Sequence, residues 1–260
     1  MGLPPRNLTV KGHGPTLVLV HGTAGSRSSF GTLPWYLRDR FRVARYDRRG
    51  TGTWPIGEAE AVPRVERHAG DLEEVIRALG CDPVVLFGTS FGATVVLETL
   101  RARPMQVCGA ILHEPAILDA GDENSSPVAR EYLRLSSAGR EQEAVERFLA
   151  RLGSRGHEGD RPGGVRGGSP DRKAVARDLA AAVAWQPRLD ELGAIEVPVL
   201  LLESELSAPA TRASVERLAR ALPGARRETL AGAVHVLAGD ETWRRVAEIV
   251  GPFVEDSARR

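Results

Sequence analysis

Apolar residues in this chain fall into short runs set between turn formers. TLVLV at 16–20 lies between Gly12, Gly14 and Pro15 on one side and Gly22 on the other. A run that short, rich in β-branched residues, predicts a buried strand rather than a helix. FRVARY at 41–46, PVVLF at 83–87, VCGAIL from 107 and PVLLL from 198 predict further strands, and ARRETL at 225–230 is a weaker candidate. Between them the spacing changes. Leu72, Val75, Ile76 and Leu79 recur at three and four residues and stop at Gly80, as on one face of a helix. Helical patterns also begin at 95 and cover 211–222 and 242–254. Strands apolar on both faces, alternating with helices, predict an α/β protein with a mostly parallel sheet and helices on both faces.

The alternation breaks between Ala116 and Glu191. Amphipathic helical pieces such as 142–152 and 173–185 flank RGHEGDRPGGVRGGSPD at 155–171, whose glycines, prolines and charges cannot pack a core and predict an exposed loop. Residues 116–191 are therefore expected to form an inserted helical cap, with 1–115 and 192–260 as the core. The alternative is a helical excursion without control of access.

At 260 residues, with 42% hydrophobic, 28 Gly and 17 Pro, the chain can bury a continuous core without metals or disulfides. Lys plus Arg total 35 against 34 Asp plus Glu, so the basic field needed for nucleic-acid tracking or attachment to an anionic membrane is missing. No stretch of 18 apolar residues appears, and MGLPPRNLTVKGHG lacks the long apolar run of a secretory signal; no membrane span and a cytoplasmic location are expected. Cys81 and Cys108 are too few for a metal site or a disulfide framework, though one bridge between them stays open.

Chemistry is concentrated in a few loops. Gly88-Thr89-Ser90-Phe91-Gly92 follows the strand VVLF and precedes the helical ATVVLETL. This is G-x-S-x-G in the strand-turn-helix setting that presents a serine hydroxyl at a helix N-terminus, making Ser90 the candidate nucleophile. His235, in a late loop after ARRETL, is the candidate base. His21 follows the first strong strand and reads as a scaffold residue, with the N–H groups of Thr23 and Phe91 as the candidate oxyanion hole.

With these motifs in place, the chain resembles the α/β-hydrolase superfamily. HGTAG at 21–25, YDRRGTG at 46–52, GTSFG at 88–92 and AGAVH at 231–235 occur in the family's order. The resemblance implies an eight-stranded sheet, a cap after the sixth strand, an acyl-serine intermediate, and a structural loop at Asp47, Arg48, Arg49 and Gly50. Trp54 stands where relatives often have serine, so it is either an aromatic wall or a surface residue. In the family's commonest version the acid follows the strand PVLLL, but Ser207 falls at that place here. A second version places it after the sixth strand, where Glu114 ends VCGAILHEP. Glu114 is the preferred acid; Glu205, Asp119 or no acid remain alternatives. His113 would face away from Glu114 if both stay extended.

The expected activity is hydrolysis of a carboxylic ester or lactone. A serine-dependent acyltransferase, cyclase or perhydrolase, or a ligand-binding protein without catalysis, are the alternatives. No cofactor and no metal is implied, and the partner is a small, largely apolar substrate, although an arginine-rich lid would equally suit an acidic one. Phe30, Tyr132 and Trp185 are the candidate pocket residues, with Trp35, Leu133 and Phe148 beside them. The oligomeric state is not legible.

Overall fold

Each long strand divides its side chains between two apolar cores. In β2 (Thr16–Val20), Val18 and Val20 face one core while Leu17 and Leu19 face the other. In β4 (Val84–Thr89), Val84 and Leu86 are split in the same way from Val85 and Phe87. Alternation at a period of two, with both faces apolar, gives a sheet that must be covered on both sides. The computed structural model describes residues 8–54, 63–80, 83–102, 106–118, 126–153, 170–186 and 188–260.

In chain order the remaining strands are β1 (Thr9–Lys11), β3 (Arg42–Arg45), β5 (Val107–His113), β6 (Val199–Ser204) and β7 (Arg226–Leu230). The sheet order is β1-β3-β2-β4-β5-β6-β7, and every neighbouring pair is parallel except the edge pair β1 and β3. Seven strands are therefore found among the described residues, against the eight implied by the resemblance. The sheet starts at Thr9, and residues 1–7 lie outside the described part. The three-residue edge strand β1 was too short to give a hydrophobic period.

On one face, α2 (Val65–Leu79), α3 (Phe91–Arg101) and α7 (Pro209–Ala221) build the first core. α2 stops at Gly80, which takes the left-handed conformation at φ 59°, as expected of a glycine C-cap. On the other face, α1 (Leu33–Leu37) and α8 (Asp240–Ala258) close over Phe30, Phe87 and Trp243. α3 is buried from Phe91 through Leu100. It is thus held from every direction, and so is the turn that begins it.

Three helices, α4 (Pro127–Ser137), α5 (Glu141–Gly153) and α6 (Arg172–Ala184), lie in sequence between β5 and β6. They share their own apolar cluster around Tyr132, Leu135, Val145, Val175 and Leu179. α4 begins at Ser126, whose hydroxyl accepts from Val128 N–H, with Pro127 in the first turn, a good helix start. Most of the 155–171 loop falls outside the described residues, as does Cys81. Cys108 is a free thiol whose Sγ donates to the Val84 carbonyl at 3.5 Å.

Gly92 sits where β2 passes under α3. A methyl group there would collide with the carbonyl oxygens of Val20 and His21, whereas one at Gly70 on α2 would meet nothing within 4 Å. Gly92→Ala is expected to destabilise the fold by about 2 kcal/mol or more, and Gly70→Ala to stabilise it by up to about 1 kcal/mol. Urea unfolding of the two variants beside the unaltered chain measures both; equal shifts would contradict the packing described.

Candidate active site

Ser90 occupies the corner between β4 and α3 with φ 51° and ψ −121°, a conformation that costs a non-glycine residue free energy. Hydrogen bonds on both sides hold it there. Its N–H donates to the His113 carbonyl at 2.9 Å, and its carbonyl accepts from Ala93 N–H at 2.9 Å and Thr94 N–H at 3.1 Å. The hydroxyl is left at the start of α3, beside Phe91 N–H at the positive end of the helix.

The loop after β7 carries His235. Glu205 pins it by accepting from Gly232 N–H at 2.7 Å, and Leu206 N–H donates to the Ala233 carbonyl at 2.9 Å. His235 Nε2 then lies 3.1 Å from Ser90 Oγ, and its Nδ1 lies 2.6 Å from Glu114 Oε2. Nδ1–H donating to the carboxylate leaves the Nε2 lone pair facing the serine hydroxyl, the tautomer a general base requires. Glu205 therefore holds the histidine's loop, and Glu114 holds its ring. Asp119 lies outside the described residues.

Glu114 is buried at the end of β5 with φ 44°. Its Oε1 accepts from Ser204 N–H at 2.8 Å and its Oε2 from Ser207 Oγ at 2.9 Å. Ser207 thus supports the carboxylate from the position that the resemblance assigns to an acid. Burial alone would raise the Glu114 pKa, but the His235 hydrogen bond, the neighbouring His113 and the Ser204 N–H outweigh it and bring it down to about 2. The positive φ also ends the strand alternation. His113 therefore does not turn away: its ring stacks on His235 at 6.0 Å between centroids, and its Nε2 bonds Ser204 Oγ at 3.0 Å.

His21 is fully buried, its Nδ1–H donating to the Gly22 carbonyl at 2.9 Å while Nε2 accepts from Arg48 N–H at 3.1 Å. Burial, reinforced by the Arg48 charge, lowers its pKa to about 3. It stays neutral and braces the loop that leads to Thr23. The loop lies against Ser90, since a methyl on Gly22 would stand 3.1 Å from Ser90 Cβ.

A cavity of about 110 Å³ opens beside Ser90 and His235, walled by Ala116, Ile117, Phe148, Leu152 and Leu179, with Thr23, Arg151 and Asp178 also on its lining. A second cavity, of about 90 Å³, reaches Gly25, Ser29 and Trp243 and shares Thr23, Ser90, Phe148 and His235 with the first. Phe148 lines both.

The three named pocket aromatics lie elsewhere. Phe30 packs against Phe87 and Trp243 in the core on the opposite face of the sheet. Tyr132 is inside the α4–α6 cluster with its hydroxyl on Glu141. Trp185 joins the first core and donates from Nε1 to Glu98 at 3.1 Å. Their bulk is used for packing, while Trp35 and Leu133 are exposed. Trp54 is half-buried beneath the Arg49 guanidinium, 5.1 Å from its ring centre, and is on neither cavity wall. Among the described residues no group of three His, Cys, Asp or Glu side chains is arranged to hold a metal ion, and no helix is long and apolar enough to cross a membrane.

A family model described as the alpha/beta hydrolase family matches residues 17–249. The chain belongs to that family. The uncharacterized hydrolase YraK of Bacillus subtilis is 29% identical over 143 residues, 55% of this chain and 52% of that protein, so the match spans about half the relative's length. Among solved structures, a thermophilic esterase from Thermogutta terrifontis superposes with a TM-score of 0.77 at 24% identity, covering 96% of this chain and 93% of that one. The enol-lactonase from Burkholderia xenovorans LB400 gives 0.75 at 21% identity over 95% of each. These two are likenesses of fold.

Three buried histidines give the protein an acid limit. Burial lowers His21 to about 3 and His68 and His113 to about 4, and Nδ1 of His68 and of His113 has no hydrogen-bond partner. Unfolded histidine takes a proton below about 6.5, so the unfolded chain binds more protons in this range. Stability is expected to be complete above pH 6.5 and to fall towards pH 3, each histidine contributing up to about 1.4 kcal/mol per pH unit. Urea midpoints measured from pH 7 to 4.5 check it; a flat profile would contradict the buried neutral state.

Proposed function

We propose that the chain hydrolyses a carboxylic ester or lactone through an acyl-Ser90 intermediate. The observation that carries this reading is the continuous hydrogen-bonded line from Ser90 Oγ through His235 to the Glu114 carboxylate, at 3.1 and 2.6 Å, beside an apolar cavity. Membership of the alpha/beta hydrolase family supports it.

In this mechanism His235 Nε2 takes the hydroxyl proton as Ser90 Oγ attacks the carbonyl carbon. The oxyanion is received by the N–H groups of Thr23 and Phe91. Glu114, ionised at any working pH, orients the ring and stabilises the imidazolium. The imidazolium returns its proton to the departing alkoxide. Water, deprotonated by His235, then attacks the acyl-serine, and collapse of that intermediate frees the acid and restores the Ser90 hydroxyl. In a lactone the alcohol stays tethered and leaves as part of a hydroxy acid.

Residues 116–191 serve in this reading as the cap, since Phe148, Leu152 and Leu179 of α5 and α6 cover the nucleophile. The cavity of about 110 Å³ beside Ser90, walled by Ala116, Ile117, Phe148, Leu152 and Leu179, supports a short, apolar acyl group.

A fluorophosphonate is expected to label the chain at Ser90, with labelling abolished in Ser90→Ala and sharply reduced in His235→Ala. Glu114→Gln should lower kcat on p-nitrophenyl acetate by about a thousandfold or more. Absence of labelling in folded protein would leave a binding role instead. The cavity also predicts a chain-length preference. Acetate and butyrate esters should exceed the decanoate in kcat/KM by about tenfold or more, and Phe148→Ala should narrow the gap; an equal rate across the series would contradict the cavity as the acyl site.

A further inference from the structure

The DRRG loop places a guanidinium behind the oxyanion-binding backbone. Arg48 is 1% exposed. Its Nε donates to the His21 carbonyl at 2.8 Å and its Nη2 to the Gly22 carbonyl at 3.1 Å. The same Nη2 and Nη1 grip Asp178 of α6 at 2.6 and 3.0 Å. The guanidinium carbon also stands 4.7 Å from the centre of the Phe91 ring, and His68 meets that ring edge-on at 5.4 Å. Arg48 therefore touches both segments that carry the candidate oxyanion donors.

Peptide geometry gives this contact a consequence. The Gly22 carbonyl and the Thr23 N–H belong to one planar trans unit and point in opposite directions. With the oxygen drawn by Arg48 Nη2, His21 Nδ1 at 2.9 Å and Gly25 N–H at 3.3 Å, the Thr23 N–H is turned away from Arg48. Asp178 comes from a different part of the chain, on α6, and also lines the cavity beside Ser90. A buried ion pair is a poor device for stability, because apolar replacements of similar size are often neutral or stabilising.

We propose that Arg48 and Asp178 are positioning residues that set the direction of the Thr23 N–H group, and that the seating of α6 thereby completes the oxyanion hole. This rests on the esterase reading above. His68, with Nε2 3.9 Å from Asp178 Oδ1, packs behind the pair.

The test uses the full chain with p-nitrophenyl acetate as substrate and benzeneboronic acid as the tetrahedral mimic, in Arg48→Lys, Asp178→Asn and the double variant Arg48→Met/Asp178→Leu. Each is expected to lose about tenfold to a hundredfold in kcat, with KM within about threefold of the unaltered chain. Boronate affinity should fall in step with kcat. The double variant, which leaves no unpaired charge, is expected to recover Tm relative to Asp178→Asn but not to recover kcat. A double variant with kcat and boronate affinity near those of the unaltered chain would overturn the proposal, as would a loss confined to KM. If the unaltered chain shows no Ser90-dependent turnover, the esterase reading falls and this one with it; turnover that persists in all three variants removes only this one.

Discussion

A serine backbone at φ 51° is the constraint around which the molecule is arranged. Such a residue persists only where its surroundings over-determine it, and here they do so from three sides. β5 accepts its N–H through the His113 carbonyl, the first turn of α3 bonds its carbonyl, and β2 passes so close beneath that position 92 accepts only hydrogen. The Ser90 hydroxyl therefore stands at the head of a helix that is buried from Phe91 through Leu100, and the groups that meet it come from the ends of other strands and the loops after them.

Those loops are tied by groups that would be costly to bury alone. Glu114 is almost wholly out of water, yet its two oxygens accept from Ser204 N–H, Ser207 Oγ and His235 Nδ1. Hydrogen bonds to the charged form are what keep a buried carboxyl ionised. Asp178 and Arg48 follow the same rule, the carboxylate accepting from Nη1 and Nη2 while the guanidinium also donates to the His21 and Gly22 carbonyls. Among these charges His21, His68 and His113 are buried, and burial lowers the pKa of each. The site is thus a small set of fixed charges inside a shell that resists further protonation.

Much of this was legible in the sequence because it is local. Runs such as TLVLV and PVLLL declare buried strands by their composition, and the three-and-four spacing of Leu72, Val75, Ile76 and Leu79 declares a helix face. GTSFG between strand and helix marks the corner. The same patterns are silent on β1, which has three residues and no period, and on the orientation of His113, which turns on the backbone of Glu114 breaking the alternation. An aromatic such as Phe30, Tyr132 or Trp185 can line a pocket or fill a core, and no local pattern says which; all three rings went into packing.

The order and kind of the elements, the serine at the corner and the late histidine were determined by the sequence itself, because each depends on neighbours a few residues away. Which carboxylate reaches His235 was decided only in three dimensions. Glu114 and Glu205 both end central strands, and a single positive φ at Glu114 together with the Gly232 bond of Glu205 separates their roles. The cavity walls and the Arg48–Asp178 pair were settled there too, since they join residues more than a hundred positions apart, and no local pattern encodes which distant side chains will share one desolvated space.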